Sequence, residues 1–137
     1  MFEQIFQQLA DIKPDFNKTS GIPPTCYSND EFLKVEKSQL FHRGWIPLGR
    51  DDRWTETGQY SALEIAGTPL IVLRNKNNKL KTFANSCRHR GSTLLDGNGT
   101  CKKIKCPFHW WTYDLDGHLK VYPRMENAID FDPSENG

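Results

Sequence analysis

The spacing of apolar residues changes about a third of the way along the chain. Phe2, Ile5, Phe6 and Leu9 recur at helical intervals in M-F-E-Q-I-F-Q-Q-L-A-D and predict a short amphipathic helix whose stripe must cover something. A loop with Pro14, Gly21, Pro23 and Pro24 follows. S-N-D-E at 28–31 predicts a second helix, with Ser28 as its cap and Glu31 reaching back, ending near Gly44 after Leu40 and Phe41. From Trp45 the apolar runs are short: W-I-P-L-G-R, Y-S-A-L-E-I, L-I-V-L-R, L-K-T-F-A and then C-K-K-I-K-C. Turn signals separate them, G-T-P at 67–69, N-K-N-N at 75–78, D-G-N-G at 96–99 and D-G at 116–117. That texture predicts an all-β sandwich or barrel of hairpins. Asp116-Gly117 suits a tight hairpin, because glycine accepts positive φ. Beyond Tyr122 no period is visible. The expected organisation is a helical extension at 1–44, a β domain at 45–122 and an exit linker at 123–137.

Composition narrows the function by exclusion. A chain of 137 residues suits one ordinary domain whose core needs no disulfide staples. With 18 basic and 17 acidic residues, no charge excess points to nucleic acid. No apolar run approaches the roughly 18 residues of a membrane span, and the N-terminus lacks the basic flank and apolar stretch of a secretory signal. The expectation is a soluble, cytoplasmic protein. In a reducing compartment Cys26, Cys87, Cys101 and Cys106 are not expected to form structural disulfides. Cys87 and Cys106 each sit near a histidine, which makes metal binding their better use.

Those two cysteines head C-R-H-R-G at 87–91 and C-P-F-H-W-W at 106–111. Each stretch falls in a turn after a predicted strand, where a rigid frame presents ligands with little reorganisation. Two thiols and two imidazoles suit one tetrahedral zinc. They equally suit a two-iron cluster with both thiolates on one iron and both imidazoles on the other. Zinc fingers pair like donors within a motif. Here each loop gives one of each kind, which favours two irons. Two unrelated buried thiols with two surface histidines are the blandest alternative and the least favoured.

C-R-H-R-G, a gap of sixteen residues between His89 and Cys106, and C-P-F-H-W-W-T-Y-D-L-D-G resemble the N-terminal Rieske domain of ring-hydroxylating oxygenase large subunits. W-I-P-L-G-R, G-T-P-L-I-V-L-R and F-A-N-S-C extend the likeness, which runs from Trp45 to Tyr122; the helices before it are also similar. The resemblance implies a Rieske-type antiparallel β-sandwich with a small cluster-binding subdomain, preceded by two short N-terminal helices. It implies a [2Fe–2S] cluster with Cys87 and Cys106 on one iron and His89 and His109 on the other. Arg90 and Gly91 would form a turn whose backbone N–H groups face cluster sulfides, and Phe108 and Trp111 would shield the cluster. Ser92 and Phe108 stand where respiratory-type relatives carry a bridging cysteine pair, and Tyr113 matches a shared tyrosine. Trp110 departs from the pattern, which has glycine or another small residue there.

The mononuclear-iron motif of such oxygenases, close to D-x2-H-x4–5-H, is absent, and the spare histidines are His42 and His118. The helical extension and aperiodic end favour a piece of an oxygenase over the alternative, a stand-alone Rieske ferredoxin. By resemblance, the domain takes an electron from a ferredoxin or reductase and passes it to a mononuclear iron in a missing catalytic domain. The whole would be a mono- or dioxygenase, with an aromatic ring as the expected substrate. The likeness also allows a homotrimer, with an acidic residue bridging from a neighbouring subunit's iron to His109. Arg88, Arg90, Lys102, Lys103 and Lys105 form a basic collar, either a landing site for an acidic ferredoxin or a solvated face. Cys26 and Cys101 read as packed thiols, and His42 and His118 as structural or surface residues without partners.

Overall fold

The computed structural model describes residues 2–13, 15, 17–125 and 127–137, apart from the side chain of Phe2. Pro14 of the predicted loop and the Phe2 side chain of the predicted stripe therefore lie outside the described residues. The chain forms two units, one ending at Pro47 and the other Leu48–Gly137.

In the first unit, helix α1 (Phe2–Ala10) buries Ile5 and sets the Phe6 ring 6.1 Å from Phe32. Helix α2 (Asp30–Val35) starts one residue later than its capping box predicts. Asn29 Oδ1 accepts the Phe32 N–H at 2.9 Å. Ser28 instead closes the preceding 3₁₀ turn, Pro24–Tyr27, by donating its N–H to Thr25 O, so the extended Asn29 takes the cap. Glu31 pairs with Lys34 rather than reaching back. α2 widens into a π-helical stretch, Glu36–Phe41, and the Gly44 N–H closes on Leu40 O at 2.8 Å.

The second unit is two antiparallel sheets, as the run-and-turn texture predicts. Strands β1 (Gln59–Ile65), β2 (Thr68–Arg74), β3 (Leu80–Ala84) and β4 (Asn98–Thr100) form one in the order β3-β2-β1-β4. Strands β5 (Ile104–Lys105), β6 (Thr112–Tyr113) and β7 (Leu119–Val121) form the other, in sequence order. Their facing side chains share one core, centred on Ile71, Leu73, Ile104, Tyr113 and Leu119 together with Cys87 and Cys106. The sequence reading fails in four places. Thr68 and Pro69 of the predicted G-T-P turn already belong to β2. Residues 45–50 form no strand: Pro47 has no N–H to give a ladder, and the division between the units falls there. The run at 101–106 contributes only Ile104 and Lys105 to a ladder. The D-G-N-G turn is half strand, since Asn98 and Gly99 pair with Ser61 and Tyr60. The predicted D-G hairpin is present. Gly117 has φ +93° and lies against Phe83, where a Cβ would approach the ring to 2.7 Å, so the turn needs glycine twice over.

Candidate metal centre

Two loops with the same backbone frame stand side by side. In the first, the Cys87 N–H donates to Ser92 O at 2.8 Å and the Gly91 N–H returns to Cys87 O at 2.8 Å. In the second, the Cys106 N–H donates to Trp111 O at 2.8 Å and the Trp110 N–H returns to Cys106 O at 3.1 Å. The fifth residue of each is left-handed, Gly91 at φ +68° and Trp110 at φ +63°. The Gly91 N–H, expected to face a sulfide, is thus used to close its own turn. The β5–β6 hairpin pairs Ile104 with Tyr113 and brings the Tyr113 hydroxyl under the first loop. There it lies 3.3 Å from Cys87 Sγ and accepts the Arg88 N–H at 3.2 Å. Asn85, at the end of β3, clamps the far side. Its Oδ1 accepts the N–H of Leu94 and Leu95 at 3.0 Å, and its Nδ2 donates to Leu95 O at 2.7 Å.

Folding brings all four candidate donors together, sulfur inside and nitrogen outside. Cys87 and Cys106 are buried, and their thiols lie within hydrogen-bonding reach of each other. Burial pushes the Cys106 thiol up, but the backbone N–H groups of His109 and Phe108, with Cys87 and the Ser92 hydroxyl, outweigh it and hold it below its ordinary value. His89 and His109 are half-buried, edge to face, with ring centroids 4.9 Å apart. Burial, then the neighbouring charges of His109 and Arg90, keep the His89 imidazole neutral to lower pH than usual. Trp111 is buried and stacks on His89, centroids 4.8 Å apart and planes within 11°. The Phe108 ring lies 4.0 Å from that of His109, yet Phe108 and Trp110 are both largely exposed. Over the histidines is a cavity of about 350 Å³, closed on its other side by Pro123, Arg124 and Met125.

This donor set fits a two-iron cluster. Soft thiols form the inner pair and imidazoles the outer pair. His109 Nδ1 is buried with no hydrogen-bond partner in the chain, as suits a nitrogen kept for a metal.

The remaining thiols, histidines and basic residues have surroundings of their own. Cys101 is half-buried and tied by its N–H to Gly58 O, and burial pushes its thiol up. Cys26 and His42 belong to the first unit, and His42, contrary to expectation, is not without a partner. His118 has a partner after all, Asp114 Oδ2, 3.3 Å from its Nδ1. Arg88, Arg90, Lys102, Lys103 and Lys105 are all exposed, and Lys105 Nζ lies 5.2 Å from the Trp110 ring centroid. No helix is long and apolar enough to cross a membrane among the described residues. Sequence reasoning missed Asn85 and Ser92 as working residues. Asn85 stands two residues before Cys87, but its contacts are made nine and ten residues away.

The pattern of the Rieske [2Fe–2S] domain matches residues 44–132. The glycine betaine monooxygenase oxygenase subunit of Pseudomonas aeruginosa is 32% identical over 129 residues, 93% of this chain and 30% of that protein. The carnitine monooxygenase oxygenase subunit of Escherichia coli is 34% identical over 135 residues, 90% of this chain and 36% of that protein. Among solved structures, the quaternary ammonium Rieske monooxygenase CntA with L-carnitine superposes with a TM-score of 0.77 at 30% identity, covering 83% of this chain and 33% of that one. Naphthalene 1,2-dioxygenase from Rhodococcus sp. does so with 0.79 at 27% identity, covering 92% and 28%. The chain thus spans about a third of the length of these relatives.

Proposed function

This chain belongs to the family of Rieske [2Fe–2S] domains, whose cofactor is a [2Fe–2S] cluster, and we propose that it is the electron-transfer part of a Rieske oxygenase. Cys87 and Cys106 would hold one iron and His89 and His109 the other. The observation that carries this assignment is the meeting of the two loops, with both thiols buried in one core, imidazole centroids 4.9 Å apart and His109 Nδ1 buried without a partner. When bound, the cluster supplies a one-electron store. The chain's own residues do the rest. The Phe108 and His109 N–H groups stabilise charge on Cys106, and the Tyr113 hydroxyl does so on Cys87. The buried core behind the thiols excludes water.

The imidazoles face the cavity, so electrons enter and leave on that side. Exposed Phe108 and Trp110, with Arg90 and Lys105, offer a surface for an acidic ferredoxin or reductase. The acceptor would be a mononuclear iron in a catalytic domain of the whole protein. A neighbouring subunit's iron is supported by the inter-subunit electron transfer described for the quaternary ammonium relative. Residues 1–44 would then be the helical lead-in, 45–122 the cluster domain and 123–137 the run toward the catalytic domain. Phe131 in that run packs on Trp111 and Tyr122, 5.6 and 5.3 Å between centroids. Substrate contacts fall outside this chain, and its electron-transfer role serves quaternary ammonium and aromatic substrates alike. Four free thiols suit the cytoplasm.

The test is compositional. Two irons and two acid-labile sulfides per chain are expected. His109→Ala should lose the cluster and Cys101→Ser should keep it. A colourless protein with stoichiometric zinc, or bleaching by Cys101→Ser alone, would overturn the assignment.

A further inference from the structure

Among the described residues, two buried side-chain polar atoms have no hydrogen-bond partner, His109 Nδ1 and Trp111 Nε1. Iron ligation accounts for the first. The second is a donor only, and a buried donor without an acceptor is rare because it is costly. Trp111 is 3% exposed, so bulk water is not its acceptor.

Its surroundings narrow the choice. The indole lies flat on the His89 ring, and Trp111 packs in one core with Cys87, Cys106 and Tyr113. The acceptors nearest in sequence are engaged: Trp111 O takes the Cys106 N–H, Trp110 O takes the Thr112 hydroxyl, and Tyr113 Oη takes the Arg88 N–H. What the polypeptide lacks at this spot is an acceptor, and the ligand set predicts a sulfur-rich one. We infer that the indole N–H of Trp111 is a hydrogen-bond donor to the [2Fe–2S] cluster and helps set its reduction potential.

This rests on the ligand assignment proposed above. A cluster gains negative charge on reduction, so a donor stabilises the reduced form more than the oxidised one. Removing the N–H while keeping a flat ring on His89 should therefore make reduction harder.

Trp111→Phe makes that change in the full chain carrying its cluster. The reduction equilibrium constant should fall roughly threefold to tenfold, the larger figure being about 59 mV for one electron. Trp45→Phe, an exposed indole in the first unit, should leave the potential unchanged. The direct readout is pulsed electron paramagnetic resonance of the reduced protein with 15N-labelled tryptophan. A 15N coupling present in the wild type and in Trp45→Phe, and lost in Trp111→Phe, is the expected result. A reduced cluster with a Rieske-type signal but no such coupling overturns this inference alone. Absence of any Rieske-type signal overturns the ligand assignment with it. If Trp111→Phe does not fold, the wild-type coupling decides; if it folds with an unchanged potential, the inference fails.

Discussion

The two candidate ligand loops share a backbone frame but are held in opposite ways. The first is held from outside. Asn85 grips its downstream end, and the Tyr113 hydroxyl, from the other sheet, reaches Cys87 and the Arg88 N–H. The second is largely held by itself. Its own Phe108 and His109 amides serve Cys106, the hydroxyl of Thr112 just beyond it donates to Trp110 O, and the left-handed slot carries a tryptophan. One turn geometry can therefore be secured by tertiary clamps or by local hydrogen bonds. The first loop is exposed to changes distant in sequence, the second to changes within itself.

The largest break in this comparison is expected from Asn85→Ala. It removes three hydrogen bonds and leaves two amides and a carbonyl without their partner. The expected loss is about 2–4 kcal/mol, read from urea unfolding. Cys87 should also react with an alkylating reagent faster than Cys106 in the cluster-free variant, reversing if the second loop is the weaker. A loss below about 1 kcal/mol would mean that the clamp contributes no more than an ordinary surface bond.

The same contrast explains what was legible beforehand. The four ligand candidates were readable because C-x-H and C-x2-H are local spacings set by a turn. The Asp116-Gly117 hairpin was readable because positive φ leaves a residue signature, whereas the turn between β1 and β2, expected at 67–69, centres on Ala66 and Gly67. Asn85, Ser92 and the target of the Tyr113 hydroxyl were hidden, since each works through a contact that exists only after the sheets meet. The run at 45–50 looked like a strand by its apolar content, but apolar content cannot supply a partner, and Pro47 removes a donor. The cap moved from Ser28 to Asn29 because the preceding turn took Ser28 first, a competition between neighbours that a single motif does not register.

A smaller effect should follow from exchanging residues between the left-handed slots. Gly91→Ala meets only Ser86 Oγ, at 3.9 Å, so its cost is backbone alone, about 1 kcal/mol. Trp110→Gly should relieve a comparable strain, about 1 kcal/mol, and lose the Lys105 contact, about 0.5 kcal/mol at an exposed site. The two substitutions should shift the melting temperature in opposite directions, with Gly91→Ala the larger. If Trp110→Gly destabilises more than Gly91→Ala, the indole holds the second loop rather than straining it.

The smallest expected effect is one that both loops share. Asp114 follows Tyr113 and fixes the turn between β6 and β7. Its Oδ1 accepts the N–H of Asp116 at 2.9 Å and of His118 at 3.0 Å, while Oδ2 faces His118 Nδ1 at 3.3 Å and Lys120 Nζ at 3.4 Å. Burial pushes its carboxyl up, but the His118 and Asp116 amides and the His118 side chain outweigh this and hold it below the ordinary aspartate value of about 3.9. A carboxylate with a depressed folded pKa contributes its stability above the unfolded value and loses it as pH falls through the folded one. Wild type should therefore lose stability as pH falls below about 4 by more than Asp114→Asn does. At neutral pH the variant should be weaker by only about 0.5 kcal/mol, since the side chain meets solvent and an amide oxygen still accepts one backbone bond. Strand β6 carries Tyr113 to the first loop and leads directly out of the second, so the reactivity of Cys87 relative to Cys106 should stay constant across the titration. Unfolding curves and thiol alkylation of the cluster-free protein at each pH measure both quantities. A ratio that drifts with pH in wild type but not in Asp114→Asn would show that the shared strand supports one loop more than the other.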